Sequence, residues 1–140
     1  MKRLHSFMLV LIVVNWILVL GHLILVEKML PGPEFKVSWA GVATITFINL
    51  IVLIVATALW RLSDKWAGGV LALFWTAALI AGVYEHFLQL APNNVFRAPS
   101  GDWTGLFDAS VFALLVVEVA GLWLAVRLLG SGQNLKLHES

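Results

Sequence analysis

Four apolar stretches, each close to the length that crosses a bilayer, dominate this chain of 140 residues. They run from Phe7 to Val26, Ser38 to Trp60, Trp66 to Leu90 and Leu106 to Arg127. A helix needs about 20 predominantly apolar residues to span the hydrocarbon layer. Within that layer only a helix or a closed barrel satisfies every backbone N–H and C=O. The runs are continuous rather than alternating with period two, which selects helices. Composition agrees, since 61% of residues are hydrophobic and 12% charged, against about 25% charged in a soluble domain. The predicted fold class is all-α: a polytopic membrane protein whose residues 1–140 form one antiparallel bundle of four transmembrane helices.

The connectors support this division. Lys2 and Arg3 precede an apolar run of 20 residues with no small-residue cleavage site, too long for the h-region of a signal peptide, so the first run is expected to be a true span. Glu27 to Val37 carries Pro31, Gly32 and Pro33, which interrupt a helix. Arg61 to Lys65 is a tight polar turn that makes the second and third helices antiparallel neighbours. Residues 91–105 form a long loop, and the residues after Leu128 form a polar tail. Lys2, Arg3, Arg61, Lys65, Arg127 and Lys136 fall on one side, and Lys28, Lys36 and Arg97 on the other. That excess places both termini in the cytoplasm, in a plasma or inner membrane. Trp39 and Trp103 then mark the outer interface, and Trp60, Trp66 and Trp123 the inner one. With no cysteine, thiol redox chemistry and thiolate metal sites are excluded, and no extended basic stretch suggests nucleic acid as a partner.

Ionisable residues within spans are costly and therefore point to function. The first and third helices run parallel. His22 and His86 each lie four residues before the end of their spans, roughly 6 Å below it at about 1.5 Å per residue. Glu85 shares that level, and Asp108 reaches it from the fourth span, giving an expected outer layer of His22, Glu85, His86 and Asp108. Asn15, Asn49 and Glu118 sit near mid-membrane, with Thr46 close by. Asn15 and His22 are seven apart and share a helix face. The His86 face of the third helix runs back through Gly82, Leu79, Trp75, Ala72 and Gly68, where small residues allow close approach.

Four functions fit these residues. A haem b held by His22 and His86, with room at Gly82 and Arg97 meeting a propionate, makes an electron-transfer subunit of a larger complex; the placement is similar to that in b-type cytochromes. A transition metal held by His22, His86, Glu85 and Asp108 uses the same layer, although neighbours 85 and 86 diverge by about 100° unless the helix end distorts. A proton or solute path uses Glu118, Asn15 and Asn49 to reach the outer layer. Length and span number resemble those of small multidrug resistance transporters, but these place their glutamate in the first span, where this chain has Asn15 and His22; membership is rejected on that ground. Finally, the polar groups can serve as interhelical glue worth about 0.6–2 kcal/mol each, in an accessory subunit that meets other membrane subunits or copies of itself. His5 and His138 lie outside the spans and receive no role.

Overall fold

The computed structural model describes residues 2–30, 32, 36 and 38–131. Pro31, Pro33 and the tail with Lys136 and His138 lie outside the described residues. The described residues form four helices: α1 (Lys2–Met29), α2 (Trp39–Trp60), α3 (Asp64–Val83), which continues into a π-helical turn (Tyr84–Leu88), and α4 (Thr104–Ser131). Among the described residues there is no strand. All four helices are long and apolar enough to cross a membrane.

The helix starts follow local chemistry. Ser38 caps α2, its hydroxyl accepting from the Gly41 amide at 2.9 Å, and Ser63 caps α3 by accepting from the Lys65 amide at 3.2 Å. Two helices are longer than their apolar runs. α1 continues through Glu27 and Lys28 to Met29, and α4 continues beyond Arg127 to Ser131. Apolarity marks where the lipid ends, whereas the helix continues until something breaks its hydrogen bonding. His22 consequently lies seven residues before the end of α1, about 10 Å below it.

Each helix packs on its chain neighbours, and α4 closes the bundle against α1. The contact between α3 and α4 is the most extensive, and that between α1 and α2 the slightest. Lipid tails are as apolar as leucine, so close van der Waals fit rather than hydrophobic exclusion holds such helices together. Glycine supplies that fit. A Cβ at Gly68 would lie 2.9 Å from the Leu129 amide nitrogen and 3.0 Å from the Ala125 carbonyl oxygen. A Cβ at Gly121 would fall against the indole of Trp75.

The bundle is divided along its length. Met8, Leu11, Ile12, Ala56, Leu71 and Trp75 pack with the C-terminal half of α4 (Leu124, Ala125, Leu128) into a dry core, in the half that holds the N-terminus of α1. Trp75 donates its indole N–H to the Met8 sulfur at 3.4 Å. At the same end His5 and Asp64 are 2.7 Å apart, and His5 stacks on Trp60 with ring centroids 4.7 Å apart. This pins α1, α2 and α3 together. Outward-facing positions such as Phe47, Ile54, Leu73 and Val116 are apolar. Trp39, at 88% exposure, stands clear of the bundle as an interfacial anchor does.

Gly121→Ala is expected to destabilise the protein by about 1–3 kcal/mol through overpacking against Trp75. Thermal unfolding in detergent checks this, and adding Trp75→Leu should restore part of the loss.

Candidate functional site

Beyond the dry core the helices separate around a cavity of about 410 Å³. Asn15, His22, Asn49, Glu85, His86 and Glu118 all line it. The two polar layers expected from sequence therefore meet in one space to which every helix contributes.

His22 and His86 form its outer end. Their ring centroids are 4.7 Å apart and the planes meet at 78°, edge against face. Phe107, fully buried, covers both rings, with centroids 5.2 Å from His22 and 6.0 Å from His86. Each imidazole is fixed by a bond through Nδ1. His22 Nδ1 lies 2.8 Å from Ser110 Oγ, whose hydroxyl proton is already donated to the Phe107 carbonyl at 2.7 Å. A hydroxyl has one proton to give, so His22 Nδ1–H donates to Ser110. His86 Nδ1 lies 3.0 Å from the Asn93 carbonyl oxygen, which can only accept, so His86 Nδ1–H is also a donor. Each ring thus carries a proton on Nδ1. Neither Nε2 has a hydrogen-bond partner among the described residues.

The π-helical turn explains how His86 reaches this position. The Gln89 amide bonds the Tyr84 carbonyl five residues back, at 2.7 Å, and the extra residue in the turn shifts the side chains beyond it. His86 is buried while Glu85 is exposed at the cavity rim. The loop that follows folds back onto this turn. The Val95 amide donates to the His86 carbonyl at 3.0 Å. Asn94 donates to the Gln89 carbonyl at 2.9 Å and accepts from the Phe96 amide at 2.9 Å. Carbonyls released by the π turn are thereby satisfied without water, as their depth requires.

The inner end of the cavity holds Asn15, Asn49 and Glu118, only 3%, 6% and 5% exposed. Asn49 donates its amide N–H to the Ile45 carbonyl at 2.9 Å. Asn15 Oδ1, Asn49 Oδ1 and Glu118 Oε2 are buried with no partner among the described residues. Glu118 has no counter-ion among the described residues. Glu118 abuts Gly82, where a Cβ would stand 3.4 Å from Oε2.

Several expectations change here. Gly82 faces the Glu118 carboxyl. The two imidazoles are in contact, edge against face. Asp108 does not line the cavity; Phe107 and Ser110 are the α4 residues that meet His22. Arg97 lies exposed in the loop and is absent from the cavity wall. Among the described residues no three His, Asp or Glu side chains converge as a metal-ligand set, so the expected quartet is not assembled. Ser110, Asn93 and Asn94 were not singled out in the sequence, because serine in a helix and asparagine in a loop are unremarkable until their partners are seen.

No family model, curated protein or solved structure matches this chain.

Ser110→Ala is expected to release His22 from a single tautomer. Imidazole nitrogen-15 shifts should then move toward the average of the two tautomers, with a stability loss of about 0.6–2 kcal/mol. Unchanged shifts would show that Ser110 does not set the proton position.

Proposed function

We propose that the protein is a small membrane transport protein that exchanges protons between the mid-membrane carboxyl of Glu118 and the outer pair His22 and His86. The observation that carries this reading is the shared cavity: a buried carboxyl without a described counter-ion, two imidazoles with unpaired Nε2 atoms, and an exposed carboxylate, Glu85, at the rim all face one space. An unpaired carboxylate at such depth needs a proton or a cation to neutralise it. Imidazole is the side chain best suited to pass a proton near neutral pH. Asn15 and Asn49 supply acceptors at the level of Glu118.

The excess of basic residues beside both termini supports cytoplasmic termini in a plasma or inner membrane, with the histidine pair toward the outer leaflet. A chain with so little mass outside the bilayer is suited to assembly with further membrane subunits or copies of itself.

The test is proton flux into proteoliposomes, driven by a potassium diffusion potential and followed with a pH-sensitive dye. Flux through the unaltered protein should exceed that of protein-free vesicles, and Glu118→Gln should return it to that baseline. Equal flux in the variant would end this reading.

One observation favours a second function, electron transfer by a subunit holding a haem b or a metal ion. Imidazoles that ligate metals donate their other ring N–H to a carbonyl or similar acceptor, and both His22 and His86 are held in that way. On this reading the purified protein carries stoichiometric metal or shows a Soret band, either being lost in His22→Ala and His86→Ala. A colourless, metal-free protein would remove it.

A further inference from the structure

The polar groups around the cavity are unbalanced in one direction. Asn49 commits an amide N–H to the Ile45 carbonyl. His22 and His86 commit their Nδ1 protons to Ser110 and the Asn93 carbonyl. The cavity-lining atoms that are buried without a partner among the described residues are all oxygens: Asn15 Oδ1, Asn49 Oδ1 and Glu118 Oε2. Among the described residues no Lys or Arg lines the cavity. Each buried acceptor left without a donor costs about 1–3 kcal/mol, so the site is built for an occupant that brings donors and positive charge.

The walls narrow the class further. A bare metal ion finds no converging set of three ligands among the described residues. A quaternary ammonium is recognised by an aromatic cage, yet Phe74 is the one ring besides the imidazoles in this wall. Ile45, Ala77, Ala78 and Leu114 give the remainder an apolar lining. The volume of about 410 Å³ falls in the lower part of the roughly 300–1,000 Å³ range of small-molecule pockets.

We infer that the cavity binds a small organic ammonium ion with several N–H donors, a primary amine carrying a short apolar body. Its ammonium group is read by Asn15, Asn49 and Glu118, and its body lies along the alanines of α3. The inference rests on the proton-exchange reading in one respect: Glu118 is neutralised either by a proton or by the ammonium, so the two compete.

The test uses the full chain in lipid nanodiscs and isothermal titration with 2-phenylethylammonium, its N,N,N-trimethyl counterpart and 2-phenylethanol. Saturable binding is expected for the primary ammonium alone. Asn49→Leu, which removes a buried acceptor, and Glu118→Gln, which removes the negative charge, should each weaken it about tenfold or more. Because the ligand series is run on the unaltered protein, the outcome does not depend on either variant folding. Equal binding of the trimethyl compound, or of the alcohol, overturns the assignment. So does absence of binding by the primary ammonium. If Glu118-dependent proton flux persists in that case, only the ligand class falls; if flux is absent while the primary ammonium binds selectively, the ligand class stands and proton exchange falls.

Discussion

A helix in lipid gains nothing by hiding apolar surface from its surroundings, so the approach of α3 to α4 has to come from shape. Gly68 lets the backbone of α4 come close, and Gly121 accepts the indole of Trp75. These contacts set the register of the two helices, and register decides what lies opposite Gly82. What lies there is Glu118, 3.4 Å from where a side chain would begin. One pair of glycine contacts in the dry half therefore places the carboxyl of the polar half. The helix face that notches α4 into Trp75 also carries His86 at its far end.

The two halves differ in emphasis, although the Trp60 indole N–H of the inner half is likewise buried without a partner among the described residues. In the inner half, packing is dense and the indole of Trp75 finds the Met8 sulfur. In the outer half, buried acceptors go without partners, a state that interiors mostly avoid. Such an arrangement persists when the surrounding structure enforces it. Here the dry half does so, together with the His5 and Asp64 contact that ties three helices at the inner end. α2 packs less closely than α3 and α4 do on each other, and it contributes Asn49 to the cavity.

The spans, the bundle and the two polar depths were legible in the sequence because each depends on one helix at a time: apolar length, residue spacing and distance from a helix end. Which polar residues meet was only partly legible. His22 and His86 do meet, as equal depth on parallel helices suggested. Asp108 was grouped with them on depth alone, but depth fixes one coordinate and helix rotation the other, and rotation brings Ser110 and Phe107 to His22 instead. Arg97 and His5 show the same limit from the loops and ends. Loop residues have no periodicity to read, and the stacking of His5 on Trp60 depends on a helix crossing that single-helix patterns do not encode.

The π turn has a deeper consequence for the site. The last carbonyls of any helix have no intrahelical donor, so the helix end at Leu88 offers acceptors to the following loop. The wider turn leaves the His86 and Gln89 carbonyls to Val95 and Asn94, and in binding them the loop brings the Asn93 carbonyl to His86 Nδ1. On the opposite side, Ser110 does the same for His22 by surrendering its own proton to Phe107. The two partners are unrelated in sequence and in secondary structure, yet both draw an imidazole N–H into an internal bond. With both Nδ1 atoms engaged, each ring leaves only Nε2 for the cavity, and that arrangement is set by second contacts that do not line it.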